Sequence, residues 1–221
     1  VINEINYNSS DDFNPEDWVE LYNSSDSPIN IGTWKLKDEA NDHVFAIPEN
    51  TILSAGDFLV LCKDTIVFTS LFPEVTNFIG DLGFGLGGGG DMVRLFDSYE
   101  ILMDDVEYDD ADPWPVEADG TGATLELIYP FLDNSLAENW IASMGYGSPG
   151  GENLMNSCEE SPGDINGDGV INVLDVILMV GIILVLEDDY TICQQYASDI
   201  NTDGIIDILD IIGLVNIILG M

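Results

Sequence analysis

The sequence predicts a mainly β protein, with a β-sandwich over residues 1–153 followed by a small all-α domain over residues 164–221. Before residue 145, short apolar stretches alternate with turn-rich segments about every ten residues, which is typical of an all-β sandwich. After residue 157 the period changes, and two apolar segments are each long enough for about three helical turns. The intervening segment "GYGSPGGENLMNS" indicates a linker, which we place at residues 154–163.

Within the first domain, the pattern of each apolar stretch predicts how its strand lies. In "WVELY", Val19 and Leu21 share one face and are expected to pack in the core, while Glu20 lies on the other face. The segment "LGFGLGGGGD" contains too much glycine for a strand interior and predicts a loop that crosses between sheets. Only residues 69–75 suggest a helical turn. The predicted strands lie in "VINEINY", "DWVELYN", "TWKLKD", "HVFAI", "FLVLCKD", "DMVRLFD", "ILMDDVEY", "TLELIY" and "NWIAS".

The net charge excludes several classes of partner. The 221 residues include 42 Asp and Glu but only four Lys and Arg, giving a formal net charge of -38. Such a chain repels nucleic acid and anionic lipid. Crowded carboxylates also favour bound divalent cations.

The chain is expected to be secreted and not inserted in a membrane. Its sequence begins with Val1 and without a basic and apolar leader, so we expect that an export signal has been removed. The longest apolar run, residues 176–186, is too short to span a bilayer. Cys158 and Cys193 flank the first acidic loop and are predicted to form a disulfide, which fits an extracellular or cell-surface location. Cys62 lies in an apolar run and is expected to be a buried free thiol.

Two acidic loops form an internal repeat in the second domain. Numbered from Asp164, "DINGDGVINVLD" has oxygen-bearing side chains at positions 1, 3, 5, 9 and 12 and a glycine at position 6. "DINTDGIIDILD" repeats this pattern from Asp199, 35 residues later. A simple turn needs only one or two such residues, whereas both loops fill all five side-chain positions.

This spacing predicts two calcium ions, one in each loop. Six or seven oxygens around a sharp glycine turn suit calcium better than the smaller magnesium ion. The predicted ligands are Asp164, Asn166, Asp168, the Val170 carbonyl, Asn172 and Asp175 in the first loop, and Asp199, Asn201, Asp203, the Ile205 carbonyl, Asp207 and Asp210 in the second.

The repeat resembles a dockerin module of the cellulosomal type over residues 158–221. An EF-hand would have a helix entering each loop and a Glu at position 12, but "SPG" precedes the first loop and both twelfth residues are Asp, so we expect half-hands consisting of a loop and an exiting helix. The resemblance implies a calcium-dependent helical fold that docks into a cohesin-type domain. The resemblance places the cohesin-facing residues at loop positions 10 and 11. We extend this set by one turn of each exiting helix. The predicted interface residues are Val173, Leu174, Ile177, Ile208, Leu209 and Ile212.

Both helices of this domain lack a polar face. Between Val173 and Leu186 the only charged residue is Asp175, and the second helix has only Asp210 and Asn216 as polar side chains. Helices that are apolar all round must be covered. Either the β domain or residues 188–197 cover them, or they form an intermolecular interface.

The first domain resembles a bacterial secreted lamin-tail domain over residues 1–153. The resemblance rests on "VINEINYN", "WVELYN", "TILSAGDFLVLCKD", "GLGGGGDMVRLFD", "VEYDDADPWP", "GATLELIYPFLDNSLAENW" and "GSPGGEN" in this order. It implies an immunoglobulin-like β-sandwich that serves as an interaction or structural module, with no catalytic residues.

The residues themselves also argue against an enzyme. His43 is the chain's single histidine, and "GLGGGG" lacks the Lys and the helix of a phosphate site. Acidic pairs such as Asp104 with Asp105 and Asp109 with Asp110 are expected by chance in so acidic a chain; they could also bind further calcium.

Together these patterns predict a secreted, calcium-dependent interaction protein that is not an enzyme. In one hypothesis the dockerin-like end of one copy packs on the sandwich of the next, producing an extracellular filament. In the other, the chain is an adaptor that binds a cohesin on a separate scaffold protein.

Overall fold

The computed structural model describes residues 1–153, 162–184, 192–201 and 206–220. The chain divides into two compact units, Val1–Asn156 and Ser157–Met221. In the described residues the first unit is β-rich and the second is helical, which confirms the predicted fold class. Most of the predicted linker falls outside the described residues, so its extent stays a prediction.

The first unit contains twelve strands and one α-helix among the described residues. The helix, α1, spans Thr65–Leu71. The strands are β1 Ile2–Asn6, β2 Trp18–Tyr22, β3 Ile29–Asn30, β4 Lys35–Lys37, β5 Phe45–Ala46, β6 Ile52–Leu53, β7 Phe58–Cys62, β8 Phe78–Gly80, β9 Asp91–Phe96, β10 Leu102–Tyr108, β11 Leu125–Leu127 and β12 Trp140–Ala142.

These strands form two main sheets and a two-stranded ribbon. The larger sheet has the order β12-β11-β1-β2-β7-β8, and the smaller has the order β10-β9-β4-β5, while β3 pairs with β6. All pairs are antiparallel except β7 with β8. The glycine-rich segment connects β8 in the larger sheet to β9 in the smaller one, so the predicted crossing loop is confirmed.

The core lies between the two sheets and is largely aliphatic. Val19 and Leu21 of β2 are at most 2% exposed and pack with Val93 and Val106 of the smaller sheet, as the alternation predicts.

The larger sheet is also covered on its other face. There Trp18, Val60 and Cys62 form a second cluster with Phe68 of α1. Asp64 caps this helix, because its carboxylate accepts the backbone N–H of Ile66 and of Val67 at 2.9 Å. The helix overlaps the predicted turn but begins four residues earlier, at Thr65.

The second unit contains three helices among its described residues. They are α2 Val173–Ile183, α3 Ile192–Ser198 and α4 Ile208–Leu219. The sequence predicts α2 and α4, and α3 is additional. α2 packs against α4, and the small core consists of Ile165, Met179, Ile182, Ala197 and Leu214.

Replacing Phe68 by Ala tests the second cluster. Phe68 is fully buried, so Phe68→Ala is expected to lower the free energy of unfolding of the sandwich by about 3 to 5 kcal/mol. Ile66→Ala on the same helix is the control, because Ile66 is 80% exposed and its truncation is expected to cost less than about 0.5 kcal/mol. All four tryptophans lie before residue 141, so tryptophan fluorescence during urea unfolding reports on the sandwich alone. Equal losses in the two variants would contradict this account.

Candidate calcium-binding unit and docking surface

The first acidic loop curls back onto its own first residue. The carboxylate of Asp164 accepts the backbone N–H of Asp168 at 3.1 Å and that of Gly169 at 2.8 Å. Gly169 has a φ of +80°, a conformation that favours glycine and produces the sharp turn. These bonds bring loop positions 1, 5 and 6 together.

The next two predicted ligands lie beside each other at the loop surface. The Asn166 side-chain amide donates to Asp168 Oδ2 at 3.0 Å, and its oxygen accepts the backbone N–H of Asp168 at 2.9 Å. The carbonyl of Val170 accepts from the Asn172 amide at 2.9 Å.

Asp175, at position 12, ties the start of the loop to the helix that follows. It is fully buried, and its carboxylate accepts the backbone N–H groups of Ile165 at 3.0 Å, Asn166 at 3.2 Å and Asn172 at 2.8 Å. The last of these bonds is half of a capping box, in which the Asn172 side chain in turn accepts the backbone N–H of Asp175; Asn172 also accepts the N–H of Leu174 at 2.8 Å. The residue that sequence analysis selected as a metal ligand is therefore also a structural anchor.

The second loop repeats this anchor atom for atom. Asp210 is fully buried and accepts the N–H groups of Ile200 at 2.9 Å, Asn201 at 3.2 Å and Asp207 at 2.8 Å. Asp207 caps α4 by accepting the N–H of Leu209 at 2.7 Å. Of the other predicted ligands, Asp199 and Asn201 are described, whereas Asp203 and Ile205 lie outside the described residues.

The loop oxygens retain capacity for a cation. Both oxygens of Asp164 and of Asp168 accept one hydrogen bond each, and a carboxylate oxygen has two lone pairs. Carboxylate, amide and carbonyl oxygens are the donors that calcium prefers. Among the described residues, no group of three or more Asp, Glu, His or Cys side chains is placed so that it could hold a metal ion. The individual calcium ligands therefore stay predictions.

The second loop differs from the half-hand that the sequence predicts. α3 ends at Ser198, directly before Asp199, so a seven-residue helix enters this loop. The prediction of half-hands was therefore wrong for the second loop. α3 also contributes Ala197 to the small core, so it covers part of the apolar helices. Coverage by residues 188–197 is one of the alternatives expected from the sequence.

The helices nevertheless retain a large exposed apolar surface. All six predicted interface side chains are more than half exposed: Val173 64%, Leu174 52%, Ile177 62%, Ile208 63%, Leu209 54% and Ile212 52%. They occupy positions 10, 11 and 14 of each repeat, so the two halves display matching patches. We call these six residues the helix patch. Near the end of α4, Ile217 and Leu219 are 46% and 64% exposed.

The two cysteines that the structure describes are in different states. Cys193 is disulfide-bonded, and its predicted partner Cys158 lies outside the described residues. Cys62 is a buried free thiol, as predicted, and burial raises its pKa to about 11.

The lone histidine has a structural setting. His43 Nδ1 lies 2.6 Å from Asp38 Oδ2, and the ring stacks on Phe84 with centroids 5.3 Å apart. The hydrogen bond with Asp38 raises the pKa of His43.

Removing the carboxylate of Asp175 tests its role as an anchor. Asp175→Ala leaves three N–H groups without their acceptor, at a cost of about 1 to 3 kcal/mol for each that remains buried. With so small a core, we expect the second unit to lose its helical circular dichroism at 222 nm while tryptophan fluorescence of the sandwich is unchanged. The control is Asp133→Ala, at an exposed position of the sandwich. A folded second unit in Asp175→Ala would contradict the assignment.

Comparisons with known families agree with this division of the chain. Residues 1–110 match the model of the Lamin Tail Domain family, and residues 162–219 match that of the Dockerin type I domain. No curated protein matches the chain. Dockerin type I domains bind calcium and mediate protein–protein interaction, and neither family is catalytic. The chain therefore carries an immunoglobulin-like lamin tail domain followed by a calcium-binding dockerin type I domain.

Proposed function

We propose that this protein is a secreted structural protein that assembles through its dockerin domain in a calcium-dependent manner, head to tail, into an extracellular filament. The observation that carries the proposal is the helix patch, in which six aliphatic side chains are more than half exposed. Large aliphatic side chains exposed on a folded domain can mark a protein–protein interface. A contact between the helix patch of one copy and the sandwich of the next joins two unlike surfaces. Such a head-to-tail contact can add further copies without closing into a ring.

The charge distribution supports a contact between unlike ends. All four Lys and Arg residues lie in the lamin tail domain, and residues 157–221 contain no basic side chain. Two dockerin domains would therefore repel each other, whereas a dockerin meets less repulsion on a surface that contains cations.

The lamin tail domain offers such a surface at the end of the β9–β10 hairpin. Tyr99 is 83% exposed and Ile101 is 58% exposed, and Lys35 lies beside them through its ion pair with Glu100. Arg94 lies on β9, a strand of this hairpin, where it is the register partner of Lys37 in β4. We take this hairpin as the receiving surface.

Calcium has the role of folding the docking domain. In the proposal each loop binds one ion, giving two per chain, because Asp175 and Asp210 occupy equivalent environments in the two repeats. Ion binding and local folding are linked, so assembly follows calcium concentration.

The disulfide at Cys193 supports an extracellular location. Disulfides persist in oxidising compartments, outside the cytosol. No helix among the described residues has the length and apolar character needed to cross a bilayer.

An adaptor that binds a cohesin on a separate scaffold protein is the second candidate. It is favoured by the Dockerin type I match, since cohesins are the usual partners of such domains. The two functions differ in one measurable respect, because the adaptor should remain monomeric when purified alone in calcium.

Substitutions in the helix patch test self-assembly. We expect Leu174→Lys combined with Leu209→Lys to weaken assembly at least about thirtyfold, the effect of losing about 2 kcal/mol at an interface centre. Ile66→Lys is the matched control, because Ile66 is equally apolar and 80% exposed but lies on α1. Sedimentation velocity in millimolar calcium measures the outcome. Unchanged particles in the double variant would exclude the helix patch, and a monomeric wild-type protein would favour the adaptor.

Calcium titration tests the number of ions. Wild-type protein is expected to bind two ions by isothermal titration calorimetry, and Asp199→Ala or Asp203→Ala to lose the ion of the second loop and to destabilise the dockerin domain without affecting the sandwich. Asp133→Ala again serves as the control. Unchanged stoichiometry in both loop variants would overturn the assignment of the second site.

A further inference from the structure

Three glutamates form a buried row across the larger sheet of the lamin tail domain. Glu4 of β1 is the register partner of Glu20 in β2 and of Glu126 in β11, and all three are at most 1% exposed. Their neighbours along the strands, including Ile5 and Val19, pack in the sandwich core, so the glutamates lie on the opposite face. We call these three residues the glutamate row.

Residues 147–153 cover this row, and we call them the closing strap. The backbone N–H of Ser148 donates to Glu4 Oε1 at 3.0 Å, and the Ser148 hydroxyl donates to Glu126 Oε1 at 2.9 Å. The N–H of Gly150 donates to Glu20 Oε2 at 2.6 Å. Each glutamate of the row is therefore hydrogen-bonded to the strap.

The strap approaches the row too closely for a side chain at its first residue. Gly147 has a φ of +84°, and a Cβ built on it would lie 2.2 Å from Glu4 Oε1. At the other end of the strap, Asn153 is fully buried and its amide donates to the carbonyls of Asn3 and Leu127 at 2.9 Å. The strap is thus fastened at both ends and in the middle.

The remaining partners of the row are neutral. Thr124, just before β11, donates its hydroxyl to Glu4, and Asn3 of β1 donates its amide to Glu20 at 2.9 Å. A β-bulge between Ile2 and Glu4 lets Asn3 share the face of its neighbour Glu4. The charged groups that repel an ionised Glu4 are Glu20 and Glu126, and Glu126 also repels an ionised Glu20. From the strap, Glu152 is exposed.

Ionising all three adjacent carboxylates in this buried site would cost a large free energy. Burial, followed by repulsion from Glu126 and Glu20, raises the pKa of Glu4 well above its usual range. Burial above all raises the pKa of Glu20 to about 8. A second observation is independent of charge: Asn3 Oδ1 is buried and accepts no hydrogen bond. A protonated carboxyl is a donor that an ionised row lacks.

We propose that the glutamate row binds protons at neutral pH and that these protons hold the closing strap on the lamin tail domain. Loss of the protons at alkaline pH leaves adjacent buried charges, whose repulsion releases the strap. The strap immediately precedes the segment that leads to the dockerin domain, so its release frees the C-terminal end of the sandwich. The inference concerns the lamin tail domain alone and does not depend on the proposed function.

The sign of the pH dependence follows from the raised pKa values. In the unfolded chain both glutamates ionise in the usual range near pH 4, whereas the folded row retains protons up to about pH 8. The stabilisation of the folded domain by these protons is therefore complete below about pH 4, and it declines as the pH rises from about 4 to about 8.

Hydrogen exchange of the strap amides tests the proposal in the full chain with calcium held at a constant millimolar concentration. After correction for intrinsic exchange rates, protection of the Ser148 and Gly150 amides is expected to fall at least about tenfold per pH unit between pH 6 and 8, since each proton that the row loses on release contributes a factor of about ten. Glu20→Gln, which mimics a permanently protonated carboxyl, should flatten this dependence and protect Gly150 better than wild type at pH 8.5. Glu49→Gln, at an exposed position, should behave as wild type.

Two results of the exchange measurements would overturn the inference. The first is that Glu20→Gln lowers protection equally at every pH, as expected if the row only accepts hydrogen bonds. The second is that wild-type protection at pH 8.5 rises when calcium is raised above this concentration, with the dockerin domain already folded, which would make the row a cation site. A measurement that needs no variant is the infrared band of a protonated carboxyl, which should persist in the native protein at pH 7; its absence would also exclude the proposal.

Discussion

The constraint on which the structure depends is that its carboxylates have almost no basic partners. With 42 acidic residues and four Lys and Arg, salt bridges can satisfy only a few of them. Buried carboxylates instead accept backbone N–H groups, as Asp175 and Asp210 do at three each. What remains of their charge has to be balanced by protons or by cations, because a buried charge without either is costly.

The two domains resolve this constraint in different ways. In the dockerin domain the acidic groups lie in loops whose spacing suits calcium, and each loop's last carboxylate also anchors the exiting helix. In the lamin tail domain three glutamates lie side by side under a strap that supplies N–H and hydroxyl donors. We therefore propose that the same composition makes one domain dependent on a metal and the other sensitive to protons.

Much of the fold could be predicted from sequence, because alternation and repeat spacing are local signals. The strand in "WVELY", the glycine-rich crossing and the helices α2 and α4 all follow from such patterns. α3 was missed because a seven-residue helix is too short for its periodicity to be distinctive. The glutamate row was missed because alternation assigns Glu20 to an outer face, and only the tertiary structure brings residues 147–153 over that face. The bulge at Asn3 likewise depends on pairing with β2.

The central claim is that calcium folds a dockerin domain whose exposed aliphatic surface joins copies of the chain. It is tested most directly by light scattering and negative-stain microscopy of the wild-type protein in millimolar calcium and again after chelation. The account predicts long particles in calcium that dissolve on chelation. Monomers in calcium that only lose helicity on chelation would contradict it.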